Sequence, residues 1–375
     1  MRIFDVIKKQ FNDNEKILFP YASKSLNAIR KNSLNKDIRG EFQRDIDRII
    51  HTNSYTRYLD KTQVYSNILN DNISKRMTHV QFVSRAARTI ARGLGLNEDL
   101  CEAISLGHDV GHPPFGHTGE SILNEISKEK IGKIFAHNLN SVRIFTILEN
   151  NGCGCNLTLQ VLDGIMCHNG EALQKKYTTK KKDFEKFEEE YIMCLKDEEY
   201  IKRICPMTLE GCVVKISDII GYIGKDIEDA KRIGVIEECN IPSSIKEVLG
   251  TTNAEIMNSL ILDVIYSSFK KDYITMSSNV YEALAKLKEF NMKNIYLKVN
   301  NKKMIDGYKD IFTKLFDVYI KALDNNDTEN NINKIYLKNM SKDYILNNKK
   351  EQIVIDYLAG MTDRFINSEY KKYIN

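Results

Sequence analysis

Apolar residues recur three and four positions apart along most of the chain, the pattern of helices that bury one face. Over residues 76–92 (RMTHVQFVSRAARTIAR) the inward side is Val80, Val83, Ala87 and Ile90, and Gly93 and Gly95 end the run. Asn97 is placed to cap a second helix, with Leu100, Ala103, Ile104 and Leu106 inward. That helix delivers His108 and Asp109 just before Pro113-Pro114 stop it. A short helix over 119–127 should follow, then helices over 137–150 and 157–168 separated by a glycine-rich turn. Residues 210–232 carry a strong stripe of Val213, Ile216, Ile220, Ile223 and Ile227.

Other stretches break this rhythm. Residues 173–203, with KKKDFEKFEEE at their centre, lack a consistent apolar face and read as a solvated helix or charged insertion. Residues 241–244 (IPSS) predict a turn and the 260s to 290s more helix. Residues 294–299 (NIYLKV) predict a short strand, 324–333 an Asn-rich loop and 351–365 a closing helix. The expected fold is therefore all-α and one continuous helical body. Its core spans 1–235, and a mostly helical accessory region over 236–375 packs on it.

Charge changes this picture little. The formal charge is +4, from 55 basic and 51 acidic residues, too balanced to argue for a nucleic-acid protein. The lysines of 175–182 keep a local contact surface for DNA open. No apolar run reaches about 18 residues, and MRIFDVIKKQFNDNEK meets charge too early for a leader, so no membrane and a cytoplasmic location are expected. The eight scattered cysteines then read as free thiols, and Cys153-Gly-Cys155 lacks the second pair of a structural zinc site.

All seven histidines, at 51, 79, 108, 112, 117, 137 and 168, fall in the first 168 residues. Consecutive helical side chains diverge by about 100°, so His108 and Asp109 at a helix end can both reach one ion seated beside it. His79, on the preceding helix, can add a second imidazole. Asp218 sits within an apolar helix, where an unpaired carboxylate is costly and a cation would satisfy it; an N-cap role is the alternative. Asp218, Tyr222 and Asp226 recur every fourth residue and share a face. Such a mixed N/O set suits Mn²⁺, Fe²⁺, Zn²⁺ or Co²⁺, with Mg²⁺ still open.

Longer motifs are more specific: GHDVGHPPFGHTGE (107–120), RMTH (76–79), AHNLNS (136–141), NLTLQVLDGIMCHNG (156–170) and SDIIGYIGKDIEDA (217–230). With RDIDRIIHTNSYTRYLDKTQV (44–64) and DYLAGMTDRF (356–365), they resemble the deoxynucleoside triphosphate triphosphohydrolase, or dGTPase-like, branch of the HD-domain metallohydrolases. Where that branch has Arg-Arg-Leu after the aromatic, this chain has Thr56-Arg57-Tyr58.

The resemblance implies an all-helical HD core whose N-terminal segment binds substrate, and hydrolysis of a dNTP to deoxynucleoside and inorganic tripolyphosphate, with dGTP preference left open. It implies one divalent metal per active site on His79, His108, Asp109 and Asp218, with Mn²⁺ or Mg²⁺ in use and Fe²⁺, Co²⁺ or Zn²⁺ as alternatives. His117 and Glu120 are the implied acid–base pair, and their spacing of three also puts them on one helix face. Arg76 precedes His79 by three and can bring a guanidinium to the same polyphosphate. His112 and His137 are implied phosphate donors, joined by Tyr222 and by Lys215, one turn before Asp218. If His112 and His137 were ligands instead, the site would be dinuclear; His168 reads as structural. Gln63, Asp226 and Tyr357 are the implied sugar contacts, with 351–365 returning to the active site.

Homo-oligomers, hexamers foremost, and regulation by single-stranded DNA also follow from the resemblance. Competing readings are an HD hydrolase of (p)ppGpp or a phosphodiester, which would share the four ligands, and a nonenzymatic nucleotide or nucleic-acid sensor.

Overall fold

The computed structural model describes residues 3–65, 70, 72–169, 173–237, 241–299 and 302–374. Cys239 and Gly170, the last residue of the 156–170 motif, lie outside them. The fold is all-α, with one two-stranded antiparallel sheet among the described residues, Lys176 opposite Thr275 and Tyr177 opposite Ile274. No described helix is long and apolar enough to cross a membrane.

The helices that frame the site begin and end for local reasons. Arg76–Leu94 stops at Gly95, whose φ of 67° lies in the left-handed region that glycine, lacking a Cβ, adopts without penalty. Asn97 caps Glu98–Gly107 by accepting from the amides of Asp99 and Leu100 at 3.1 and 3.3 Å. Gly116–Ile131 is longer at both ends than the sequence suggested, because it starts immediately after a left-handed Phe115 (φ 63°) and ends at a left-handed Gly132. In the first turn of that helix a Cβ on Gly119 would lie 1.8 Å from the Pro114 carbonyl oxygen, so the bend packs on this turn only with glycine there. Leu209–Arg232 is capped by Thr208, which places Asp218 in mid-helix and removes the N-cap reading.

Several expectations are corrected. Residues 294–299 are not a strand: Met292–Tyr296 and Leu297–Val299 prolong the helix Ser278–Asn291, burying Ile295 on the core. A six-residue apolar run cannot by itself distinguish a strand from the end of a long helix. The 137–150 helix is His137–Arg143 followed by a wider turn, Ile144–Leu148, and breaks at Asn150 and Asn151, both at positive φ. The closing helix is two, Lys350–Gly360 and Asp363–Tyr373, because the Thr362 side chain accepts from the Phe365 amide at 3.2 Å and starts a new one.

Residues 173–203 are not simply solvated. Phe187, Glu190 and Cys194 of the Phe184–Cys194 helix are buried, and so is Lys182, 2.5 Å from Asp163 and 2.7 Å from Glu190. Charges can be buried when each finds its opposite, which an apolar-periodicity reading does not see. Lys175 and Lys176 are also engaged within the chain, by Ser278 and by the Tyr273 ring.

Two apolar cores result. The first is built around Arg76–Leu94, Glu98–Gly107, Leu159–Cys167 and Leu209–Arg232, and takes in the helices of 243–291. In the second, Phe115, Ile122, Leu123 and Ile126 meet Phe312, Leu315, Val354 and Leu358. Gly116–Ile131 thus joins the C-terminal helices to the crowded bend, where the histidines converge.

Candidate metal centre and acid–base pair

Four helix ends and one helix middle deliver the cluster. Arg76 and His79 come from the first turn of Arg76–Leu94, His108 and Asp109 from the end of Glu98–Gly107, and His168 from the end of Leu159–Cys167. His137 opens its helix, and Asp218 comes from the middle of Leu209–Arg232. His79 Nε2 lies 3.0 Å from Asp218 Oδ1 and 3.9 Å from Asp109 Oδ2. His108 Nε2 lies 3.6 Å from Asp218 Oδ1 and 3.5 Å from Asp109 Oδ1. His112, His137 and His168 each direct Nε2 to the same Asp109 Oδ1, at 3.4, 3.9 and 3.9 Å. Arg76 pairs with the other Asp109 oxygen.

The donor set fits a divalent ion. His108 Nδ1 is 2.6 Å from the Ser105 carbonyl, so in the neutral ring it carries the proton and Nε2 presents a lone pair. That buried Nε2 has no hydrogen-bond partner. Burial alone would raise Asp109, yet Arg76 and the surrounding histidines hold its carboxyl well below the usual carboxylate range. Burial is likewise overcome at Asp218 by His108 and His79. Burial opposes charge on His108, but the two aspartates push it up to about 9. Two ionised carboxylates face the imidazole nitrogens of His79 and His108, and these four side chains offer a divalent ion a mixed N/O shell.

Beside this centre lies a hydrogen-bonded chain. Glu120 receives His117 Nδ1 on Oε2 at 3.1 Å, and both the ring Nδ1 and the backbone amide of His137 on Oε1, at 2.8 and 2.7 Å. Burial would raise the Glu120 carboxyl, but His137 and His117 hold it well below its usual value, and it stays an anion. His117 is exposed, while His112 stacks on His137 with centroids 3.9 Å apart. Burial, and then the charge of Arg76, push His112 well below the usual imidazole range. Arg76 Nη2 and His112 Nδ1 are buried without hydrogen-bond partners, the latter 3.9 Å from Glu120 Oε2. A cleft of about 550 Å³ opens at His117, Glu120 and His137, with Asn169, Glu198 and Lys202 on its other walls.

The other sequence candidates are spread around this centre. Tyr222 lies 6.4 Å from the His79 ring. Gln63 sits beside Gly116 with its Oε1 buried and unpartnered. Asp226 accepts from Tyr296 at 2.6 Å, and burial pushes its carboxyl up to about 7. Lys215 is buried, its charge acts on the Cys167 and Cys212 thiols, and it makes no ion pair with the cluster among the described residues. Tyr357 packs against Tyr319 and Tyr336 in the second core.

The sequence reading missed three groups. His168, taken as structural, turns its Nε2 into the cluster, 3.1 Å from His137 Nε2; the concentration of histidines was the signal that could have found it. Lys61 is buried with Nζ on the carbonyls of His112 and Ala359, and Asp363 accepts from the amides of Phe115 and Thr62. Both lie inside quoted motifs, but only the folded chain shows that they clamp the bend to the C-terminal helices.

Comparison with known proteins agrees with this architecture. The HD domain matches residues 76–221, and the phosphohydrolase-associated domain residues 274–372. A deoxyguanosinetriphosphate triphosphohydrolase-like protein of Caldanaerobacter subterraneus subsp. tengcongensis is 37% identical over 362 residues, 95% of this chain and 92% of the relative. Proteins of the same description from Desulfatibacillum aliphaticivorans and Clostridium tetani are 37% and 34% identical, over 89% and 96% of this chain and 88% and 93% of their own lengths. With a His/Asp cluster gathered from the HD segment and the similarity running almost end to end, the chain belongs to the deoxyguanosinetriphosphate triphosphohydrolase-like branch of the HD-domain hydrolases.

Proposed function

We propose that this protein hydrolyses a deoxynucleoside triphosphate to the deoxynucleoside and inorganic tripolyphosphate. One observation carries the reading: an ionised Glu120 bonded to an exposed imidazole, beside a buried His/Asp cluster where Arg76 and His112 keep nitrogens without hydrogen-bond partners. The names of the relatives point to the same class of substrate.

His79, His108, Asp109 and Asp218 would hold a divalent ion, which when bound offsets charge developing on the α-phosphate. Arg76 Nη2 is placed to donate to a phosphate oxygen, and His112 offers a second contact through the ring nitrogen not turned to Asp109. Cleavage between the 5′-oxygen and the α-phosphorus needs a proton for the departing alkoxide. Glu120 binds Nδ1 of His117, so the proton exchanged with the reacting oxygens is carried at Nε2, and the carboxylate stabilises the imidazolium. Gln63 Oε1, an acceptor without a hydrogen-bond partner, and Asp226, whose carboxyl burial raises to about 7, suit a sugar hydroxyl.

The test is to incubate Mn²⁺-loaded protein with each dNTP and NTP and to resolve the phosphate products. Tripolyphosphate with deoxynucleoside is the expected result. Pyrophosphate with monophosphate, or orthophosphate with diphosphate, would overturn the assignment of the broken bond.

A further inference from the structure

The bend at 112–115 is short of backbone donors. Pro113 and Pro114 carry no N–H, and the Phe115 amide donates to Asp363. The carbonyl of the buried His112 is therefore satisfied from elsewhere in the chain, by Lys61 Nζ. The same amine donates at 3.2 Å to the carbonyl of Ala359, in the last turn of the Lys350–Gly360 helix, where no amide of that helix remains to reach it. Lys61 is 1% exposed, and among the described residues no carboxylate is in contact with Nζ. Burying a lysine on carbonyls alone is costly, and an apolar side chain would fill the same space without that cost.

The backbone of Lys61 is tied to the other side of the site. Its carbonyl accepts from the Arg76 amide at 3.2 Å, Arg76 Nε donates to the Thr62 carbonyl at 3.3 Å, and Thr62 pairs with Lys75 in an isolated antiparallel bridge. One residue thus holds Arg76 through its backbone and His112 through its side chain. Both keep a buried nitrogen without a hydrogen-bond partner, Arg76 Nη2 and His112 Nδ1.

We propose that Lys61 is a positioning residue for the polyphosphate: by fixing the plane of the His112–Pro113 peptide, it sets the His112 ring relative to Arg76 so that both nitrogens meet one phosphate chain. The inference rests on the phosphate-binding role proposed above for Arg76 and His112. Lys61 itself touches no substrate atom and acts through His112. A ring released from this tether still reaches phosphate, but from a spread of orientations, which weakens binding more than it slows the chemical step.

Lys61→Met keeps the unbranched stem and removes Nζ. Full-length wild type and variant, loaded with Mn²⁺, are titrated calorimetrically with inorganic tripolyphosphate premixed with Mn²⁺, and KM and kcat are measured for each dNTP. The variant is expected to bind tripolyphosphate about tenfold more weakly, with KM raised to match, kcat within about threefold of wild type, and bound Mn²⁺ and circular dichroism unchanged. In a His112→Ala background the same substitution should change affinity by less than about twofold, because the group it positions is gone. Wild-type affinity in a folded Lys61→Met overturns the inference even if the variant melts lower, and so does an undiminished loss in the His112→Ala background. If Lys61→Met does not fold, Lys61→Gln takes its place with the same expectations; failure of both to fold would make Lys61 purely structural and overturn its positioning role. Products other than tripolyphosphate, with weakened tripolyphosphate binding in the variant, would overturn the proposed reaction and leave Lys61 its role; the expected products with unchanged affinity would do the reverse.

Discussion

Asp363→Ala should loosen the bend that carries the acid–base pair while leaving the metal ligands in place. Asp363 belongs to the last helix, yet its Oδ1 accepts from the Phe115 amide at 3.0 Å and its Oδ2 from the Thr62 amide at 3.2 Å and the Thr62 hydroxyl. Phe115 is held at φ 63°, a conformation costing an ordinary residue on the order of 1–2 kcal/mol, and it immediately precedes the helix that presents His117 and Glu120. A hydrogen bond to a charged group contributes about 1.5–3 kcal/mol net; Asp363 is only half-buried and water can replace part of it, so we expect about 2–4 kcal/mol in all.

Hydrogen exchange of a peptide containing Phe115 reads this locally. Protection of that amide should fall by about 30-fold or more, since each 1.4 kcal/mol is tenfold, while amides of the Leu209–Arg232 helix stay protected. Turnover should fall at least tenfold with metal content unchanged, and Thr62→Ala should be non-additive with Asp363→Ala by about 1 kcal/mol. Unchanged exchange at Phe115 would refute the clamp, and metal lost in proportion to activity would refute its separation from the ligand set.

Asp218→Ala should lose metal and turnover together, because the carboxylate lies in mid-helix facing His79 and His108 at 3.0 and 3.6 Å, where an ion would sit between them; metal analysis showing unchanged content would remove it from the ligands. His117→Ala should keep the ion and lose rate, and an empty site in that variant would contradict its role as a proton carrier. Asp226 is pushed up to about 7 from an ordinary 3.8, so the folded state binds the extra proton and stability falls as pH rises from about 4 to about 7. Asp226→Asn should abolish that slope, gaining up to about 4 kcal/mol at pH 8 relative to pH 4, read by denaturant titration at each pH; parallel curves for the two proteins would refute the shift. Gly111→Ala should fail to accumulate as folded protein, since its Cβ would fall 2.1 Å from the His137 carbonyl oxygen; a wild-type melting curve would refute that contact.

The helices that carry the candidate ligands were legible because each has a one-dimensional cause: apolar period, an Asn97 cap, a stopping glycine. Asp218 was legible for a different reason, as a carboxylate in an apolar stripe must be compensated somewhere. What escaped was compensation itself. Lys182 between Asp163 and Glu190 turns a charge-rich stretch into buried structure, and Asp363 on Phe115 and Thr62 makes residues 248 positions apart in sequence act as one turn. Neither pairing leaves a periodic trace, since a period records which face is apolar and not which charge meets which.

The same limit explains His168. Its ring sits at the end of a helix buried on every side, so burial alone fits a structural residue as well as a ligand. The distinction lies in the direction of one lone pair, set by the Ile165 carbonyl one turn back and meaningful only against His137 from another helix. Thus the bend at 107–120 brings together His108, Asp109, His112, His117 and Glu120, and the cluster is completed by His168 from a helix outside it.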